Sequence, residues 1–162
     1  MRIGLSLTIE RKGSAPKRKG RCSAAGGATS VIFPRMIDHI GIRVRDYPRA
    51  KAFYTAALAP LGYQVIMELT PEMGLGYIGV GLGIDRKPDF WIGQGETNGA
   101  AHIAIVAADR KAVDAFYAAA LAAGGTYHGA PGVRAHYHPS YYGAFVLDAE
   151  GNNIEAVCHK PA

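Results

Sequence analysis

Cysteine is scarce in this sequence, and long apolar runs are absent. The 162 residues include only Cys22 and Cys158, too few for the disulfide framework of a small secreted domain, so we expect a reducing, cytoplasmic setting. No run of about 18 apolar residues occurs, so the sequence predicts no membrane span. Charged residues make up 19% and hydrophobic residues 49% of the chain. This balance excludes wholesale disorder and indicates a globular domain with a substantial core.

Acidic residues are nearly absent from the first 35 positions. This segment holds eight of the 18 Lys and Arg residues and one acid, whereas the rest of the chain holds ten bases and twelve acids. The basic character therefore belongs to the segment, and the remainder lacks the basic surface that nucleic-acid binding requires. We predict a flexible basic arm over residues 1–35 and a single domain over residues 36–162. The arm is explained either as sequence upstream of a natural start at Met36 or as a binding segment.

An internal repeat organises the domain. With an offset of 63 residues, the segment 38–42 (Asp-His-Ile-Gly-Ile) recurs at 101–105 (Ala-His-Ile-Ala-Ile), and a Phe-Tyr pair in the following helix also recurs. Each half is patterned as a strand, a helix capped by Asp, and three further strands. The sequence thus predicts two βαβββ modules, at about 36–95 and 99–160.

The two modules predict an α+β fold. A βαβββ unit is too small to close its own sheet, so we expect the modules to pair into one eight-stranded, curved, mixed sheet. This sheet forms a cup-like incomplete barrel with the helices outside. Because such a cup leaves sheet edges exposed, we also expect a homodimer. The strand candidates of the second module are 126–129, 142–148 and 153–159, and the glycine-rich stretch 79–83 is interpreted as a tight turn.

Strand alternation places three chemically capable side chains on one face of the sheet. His39 and His102 alternate with isoleucines expected to pack under the helices, and Glu155 in the last strand lies on the same side as the histidines. Two imidazoles and one carboxylate match the facial triad used for Fe(II) and also suit Mn, Ni or Zn. The alternative for a strand histidine is a hydrogen-bonded pocket residue, and for a glutamate near a C-terminus a solvated side chain.

At this point the chain resembles a known family. The strand histidines, the helical Phe-Tyr pairs and the segment 148–155 (Asp-Ala-Glu-Gly-Asn-Asn-Ile-Glu) are similar to the vicinal oxygen chelate superfamily. That superfamily includes glyoxalase I, extradiol dioxygenases, fosfomycin-resistance thiol transferases and bleomycin-binding proteins. The resemblance covers about residues 36–160, and it implies that His39, His102 and Glu155 hold a divalent ion.

The resemblance to glyoxalase I fails at one position. That enzyme has a second glutamate on the last strand of its first module, where this sequence places Trp91 or Ile92. The missing glutamate also serves as a proton-transfer base in that family, so the resemblance implies very weak glyoxalase I activity. The remaining three-ligand set is more similar to those of the dioxygenases and the fosfomycin-resistance enzymes.

The segment 136–142 is dense in groups that exchange protons or form hydrogen bonds. We predict Tyr142 and His138 as catalytic side chains, because ring-cleaving chemistry uses a His acid–base and a Tyr near the metal. Trp91, Tyr141 and His136 are predicted to bind substrate. An ordinary surface loop is the alternative for each residue taken singly.

The overall hypothesis is a small metalloenzyme of the lyase, isomerase, dioxygenase or transferase type. Its ion, which is Fe, Mn, Ni or Zn, would chelate vicinal oxygens of a small-molecule substrate. The alternative is a metal-free binding protein similar to the bleomycin-resistance proteins.

Overall fold

The computed structural model describes residues 37–73, 76–97 and 99–161, so the predicted arm lies outside the described residues. The first module consists of β1 (Ile40–Val44), α1 (Tyr47–Leu58), β2 (Gln64–Leu69), β3 (Gly79–Ile84) and β4 (Lys87–Gln94). The second module consists of β5 (His102–Val106), α2 (Arg110–Ala122), β6 (Thr126–Val133), β7 (Tyr142–Leu147) and β8 (Asn153–Cys158). The two βαβββ modules are therefore confirmed.

The strands form one mixed sheet in each module. The strand order is β1-β4-β3-β2 in the first sheet and β5-β8-β7-β6 in the second. In both sheets the first strand of the module runs parallel to the last, and the other neighbours are antiparallel. The α+β class is confirmed. The ladders of the two sheets do not join into one within the described part of the chain, so β1 and β5 each pair along one side only.

Both helices begin at the aspartates that the sequence predicts as caps, and α1 continues into a short 3-10 helix (Ala59–Leu61). Asp46 Oδ1 accepts a hydrogen bond from the Arg49 amide, and Asp109 Oδ1 accepts one from the Ala112 amide, so each aspartate satisfies an otherwise free N–H of a first turn. After the first helix the chain turns at Gly62, whose φ of 87° lies in the left-handed region that glycine tolerates. Gly124 does the same after α2, with a φ of 94°.

The two helices pack against each other, and one apolar core runs through both modules. Phe53, Tyr54 and Leu58 on α1 are buried together with Val113 and Phe116 on α2. The same core takes in the helix-facing residues of the inner strands, which are Val80, Leu82, Phe90, Ile92, Val146, Ile154 and Ala156. The helical layer therefore joins the modules. Within the described ranges, no helix is long and apolar enough to cross a bilayer.

The glycine-rich stretch is a strand, and its prediction as a turn was wrong. Gly79–Ile84 is β3, and the chain reverses after it at Asp85 and Arg86, both of which have positive φ. Glycine is needed within the strand because neighbouring backbone approaches closely. A Cβ on Gly83 would lie 1.9 Å from the Lys87 carbonyl oxygen.

Candidate functional site

The face of the second sheet opposite the helices carries a histidine, a glutamate and a tyrosine in direct contact. His102 lies on β5 and Glu155 on β8, which pair in parallel. His102 Nε2 lies 3.0 Å from Glu155 Oε2, and the Tyr141 hydroxyl donates a 2.5 Å hydrogen bond to Glu155 Oε1. We call these three residues the module-2 cluster. Two of the three predicted ligands are thus adjacent.

The Glu155 carboxylate is enclosed, although it lies at the surface of a sheet. Its residue is 2% exposed, while the His102 side chain is 56% exposed. The enclosure depends on Gly143 of β7, where a Cβ would lie 3.0 Å from Glu155 Oε1 and 3.2 Å from the Tyr141 ring. A buried carboxylate requires partners for its lone pairs, and here an imidazole and a phenol supply them.

The tyrosine of this cluster stays protonated over the physiological range. Burial, and the hydrogen bond to Glu155, raise the pKa of Tyr141 to about 12. The hydroxyl is therefore a fixed donor to the carboxylate, and it orients the glutamate so that Oε2 is directed at His102. Such an oriented carboxylate–imidazole pair is a usual arrangement for two ligands of a divalent ion.

His39 lies apart from the module-2 cluster. Its Nδ1 is 3.0 Å from Asp38 Oδ2, and its side chain is 61% exposed just before β1. Asp38 is also paired with Lys87, and the hydrogen bonds from His39 and then Lys87 lower the pKa of the Asp38 carboxyl. His39 and His102 both line a cavity of about 590 Å³. Among the described residues, however, no three His, Cys, Asp or Glu side chains come close enough to hold one ion.

The residues of one chain therefore fit a divalent ion incompletely. The module-2 cluster offers an imidazole nitrogen and a carboxylate oxygen close together, in a hollow that a Cβ on Gly143 would fill. Structural and catalytic sites for such ions have at least three protein ligands. A third donor has to come from elsewhere than the described residues around Glu155.

The strand register shows which residue occupies the place of the missing second glutamate. Ala104 on β5 pairs with Glu155, and its repeat equivalent Gly41 on β1 pairs with Trp91. Trp91 is half-buried and lines a cavity of about 580 Å³, whereas Ile92 is fully buried in the core. The equivalent position is therefore Trp91.

Tyr142 is directed away from Glu155, contrary to its expected position beside the metal site. Its hydroxyl donates a 2.8 Å hydrogen bond to Asp114 on α2, and the Arg110 guanidinium lies 5.1 Å from its ring centroid. The reason is alternation along β7, because Tyr142 pairs with Cys158, which faces the core. The preceding residue, Tyr141, therefore takes the face of Glu155, and this alternation was present in the sequence.

The other residues of the loop form a ring cluster next to Tyr141. The rings of Tyr137 and His159 each lie 5.1 Å from that of Tyr141. His138 Nδ1 accepts a hydrogen bond from the Ser140 amide, and the His138 ring is 6.3 Å from that of His159. His136 stacks near Tyr137, at 4.1 Å. Within the described part of the chain, the side chains that hydrogen-bond to Glu155 are His102 and Tyr141, and not His136 or His138.

Comparison with known proteins gives matches to a family and to solved structures. A family model described as Glyoxalase/Bleomycin resistance protein/Dioxygenase superfamily matches residues 36–156. A glyoxalase/bleomycin resistance protein from Albidiferax ferrireducens T118 is 26% identical with a TM-score of 0.60, over 78% of this chain and 100% of that one. A glyoxalase/bleomycin resistance protein/dioxygenase family enzyme from Burkholderia phytofirmans PsJN is also 26% identical. Its TM-score is 0.57, and the match covers 76% of this chain and 98% of that one.

More distant structures share the fold. Glyoxalase I from Zea mays is 22% identical with a TM-score of 0.54, and the match covers 75% of this chain and 43% of that one. None of the curated protein sequences matches this chain.

Proposed function

Since the chain belongs to the Glyoxalase/Bleomycin resistance protein/Dioxygenase superfamily, we propose that it is a small metalloenzyme whose divalent ion chelates two neighbouring oxygens of a small substrate. The observation that carries the proposal is the 3.0 Å pair of His102 and Glu155, held by Tyr141 in a glycine-lined hollow. A buried carboxylate that is already paired with an imidazole and oriented by a phenol is typical of a functional site, and ion binding is a function that this pair of groups can perform. The ion is Fe, Mn, Ni or Zn, and the reaction is of the lyase, isomerase, dioxygenase or transferase type.

We propose His39 of a second copy as the third ligand. Contacts between the modules oppose closure within one chain, because the Tyr54 hydroxyl of α1 donates a buried 2.6 Å hydrogen bond to Asp148, and Arg45 forms an ion pair with Glu150. These contacts hold the modules in an arrangement in which His39 does not contact Glu155 of its own chain. A second copy requires no rearrangement of these contacts.

The sheet edges support a homodimer of this kind. β1 and β5 each have one unpaired edge among the described strands, and His39 directly precedes β1 while His102 begins β5. Ile37 and Val106 near these edges are 68% and 71% exposed. Exposed apolar residues beside an unpaired strand edge are typical of an interface. Joining β1 of one copy to β5 of the other would produce the eight-stranded cup that the sequence predicts.

When bound, the ion would supply Lewis acidity toward the two substrate oxygens. This chain's own residues would position the ligands of the ion. Tyr141 holds Glu155 in position, and the Gly143 backbone leaves room for the carboxylate. Proton transfer by His138 and Tyr142, and substrate contact by His136, stay predictions from the sequence. The free, buried Cys158 is consistent with our proposal of a cytoplasmic, reducing setting.

Mixed dimers test both the ligands and their origin. We would co-express two differently tagged variants, His39→Ala and Glu155→Gln, and purify the mixed species through both tags. If the site takes His39 from one copy and Glu155 from the other, one of the two sites in each mixed dimer is intact. Metal analysis should then give about half the content of the unmodified protein, while each variant alone gives nearly none.

Two outcomes would overturn parts of this proposal. Mixed dimers as empty as the single variants would show that all three ligands act within one chain. Unchanged metal content in His102→Ala would exclude the metal site itself. A matched control is His128→Ala, a histidine on the β6 strand away from the cluster, which should keep full metal content.

A metal-free binding protein is the second candidate. The observation that favours it is Trp91, a flat aromatic surface lining a cavity of about 580 Å³ where the family's glyoxalase I has a ligand. Tyr141, on the open face of the second sheet, would be a further aromatic surface for such a ligand, whereas Tyr142, which the sequence also suggests for stacking, lies on the helix side. Protein purified without added metal decides between the two candidates. A stoichiometric ion favours the enzyme, and a metal-free protein that binds a planar ligand favours the binding module.

A further inference from the structure

The face of the first sheet opposite the helices forms a cavity lined by aromatic and basic side chains. His39 just before β1, Arg43 on β1, Trp91 on β4 and Tyr77 line one cavity of about 580 Å³, which we call the module-1 cavity. It differs from the module-2 cluster, its repeat counterpart, in carrying an indole and a guanidinium in place of a carboxylate and an aliphatic residue. By strand register, Trp91 in the first module is equivalent to Glu155 in the second, and Arg43 is equivalent to Val106.

Arg43 is oriented by two contacts, neither of which is with a carboxylate. Its Nη1 donates a 3.0 Å hydrogen bond to the Gln94 carbonyl, and its guanidinium lies 5.5 Å from the Tyr77 ring centroid. Within the described residues no acid forms an ion pair with it, whereas Arg45 pairs with two acids and Lys51 and Lys87 with one each. Nε and Nη2 therefore remain as the free edge of the guanidinium. A planar fork of two N–H groups matches a carboxylate in bidentate geometry.

Glycines leave room around the two planar groups. Arg43 lies along Gly93, where a Cβ would be 3.6 Å from Arg43 Cδ. The Trp91 ring covers Gly81, where a Cβ would be 3.0 Å from two ring atoms. The indole and the guanidinium thus lie over bare backbone, and Arg43 and Trp91 belong to neighbouring strands of the same face.

The acid that lines this cavity is already neutralised. Asp38 is paired with Lys87 and hydrogen-bonded to His39. The positive charge of Arg43 is therefore not offset by this carboxylate, and an anionic group entering the cavity meets a guanidinium that no described acid satisfies.

We propose that the module-1 cavity binds the organic part of the substrate as a planar, conjugated carboxylate. Its carboxylate pairs with Nε and Nη2 of Arg43, and its π-system lies on Trp91. This inference rests on the proposed function, in that the vicinal oxygens of the same molecule would reach the ion held by His39, His102 and Glu155. The second module would then supply two of the three ion ligands, and the first module would bind the planar anion.

Fluorescence gives a direct measurement, because Trp91 is the single tryptophan of the chain. The full-length protein, treated with a chelator, is titrated with benzoate, with its neutral isostere benzamide, and with the non-planar cyclohexanecarboxylate. We expect saturable quenching by benzoate, and binding weaker by about tenfold or more for benzamide, since a hydrogen bond to a charged group is lost. Cyclohexanecarboxylate should also bind more weakly, because it cannot stack.

Variants assign the charge to one residue. Arg43→Met should remove the preference for benzoate over benzamide, and Arg43→Lys should retain part of it as a point charge without the fork. Arg49→Met, which removes one charge from the exposed side of α1 outside the cavity, is the matched control and should bind benzoate as the unmodified protein does. Higher ionic strength should weaken the binding of benzoate and leave the binding of benzamide unchanged.

Equal binding of benzoate and benzamide by the unmodified protein would overturn the proposal, whatever the variants do. Undiminished benzoate binding by Arg43→Met would do so as well. The titration is done without metal, so its result is independent of metal content. Benzoate selectivity in a protein that takes up no ion would therefore refute the metalloenzyme alone, and stoichiometric ion binding without selectivity would refute this inference alone.

Discussion

The Tyr54 hydroxyl on α1 donates a 2.6 Å hydrogen bond to Asp148 Oδ2, in the turn between β7 and β8. The same carboxylate accepts hydrogen bonds from the Glu150 amide and from the amide and side chain of Asn152. Asn152 Oδ1 in turn accepts from the Ala101 amide, just before β5. The aspartate thus connects the first module's helix to a turn and a strand of the second module.

Removal of this hydroxyl is expected to destabilise the whole domain. Tyr54→Phe leaves one buried carboxylate oxygen with one donor fewer, which should cost about 1–2 kcal/mol in the free energy of unfolding. Asn152 still satisfies that oxygen in part, so a larger loss is not expected. The measurement is denaturant unfolding, and Tyr117→Phe, at the repeat-equivalent position on α2, is the control. A smaller effect at Tyr54 than at Tyr117 would contradict the connecting role.

The same hydrogen bond predicts a pH dependence. Burial, together with the Asp148 charge, raises the pKa of Tyr54, so the folded chain holds this proton more tightly than the unfolded chain, whose tyrosines titrate near about pH 10. The stabilisation is complete below that pH and decreases as the pH rises above it toward the folded-state pKa. The stability gap between the unmodified protein and Tyr54→Phe should therefore narrow between about pH 9 and about pH 11. A constant gap over this interval would contradict the prediction.

Two adjacent tyrosines provide a matched pair at the candidate metal site. Tyr141→Phe removes the hydrogen bond that orients Glu155, and loss of such a ligand-orienting contact typically weakens metal affinity by about 10- to 100-fold. Tyr142→Phe removes only a hydrogen bond to Asp114 on the exposed side of α2, so affinity should stay unchanged. Chelator competition measures both. A larger effect for Tyr142 than for Tyr141 would contradict the assignment of Tyr141 as the residue that orients Glu155.

The sequence predicts the elements better than the exact residues of the site. Alternation and the repeat place His102 and Glu155 on one face, and the structure brings them into contact. The repeat offset alone leads from Glu155 to Ile92, but the register gives Trp91, because the second module has one residue more between its paired strands. Such an insertion is invisible to a fixed offset.

Long-range pairing explains the other differences. Gly79–Ile84 alternates apolar residues with glycines, and it is β3 because it pairs with β2 on one side and β4 on the other. The glycines fit there because the neighbouring backbone leaves no room for a side chain at Gly83. The position of His39 relative to Glu155 depends on how the modules pack through their helices. Local pattern carries no information on this packing.

The last prediction concerns the position that Trp91 occupies. The unmodified chain should isomerise a glutathione hemithioacetal very weakly, because it has an indole where a further ligand and base would be required. Trp91→Glu places a carboxylate on β4 at the register position equivalent to Glu155, and it should shift the metal preference toward ions that take four protein ligands. Trp91→Gln is the control of similar size without the charge, and Ile92→Glu should instead unfold the domain, because that side chain is fully buried. The measurement is turnover and metal content side by side for iron-, manganese-, nickel- and zinc-loaded protein. Robust isomerisation by the unmodified chain would show that another acid serves as the base, although Glu68 is paired with Lys51 and Glu96 with Arg45.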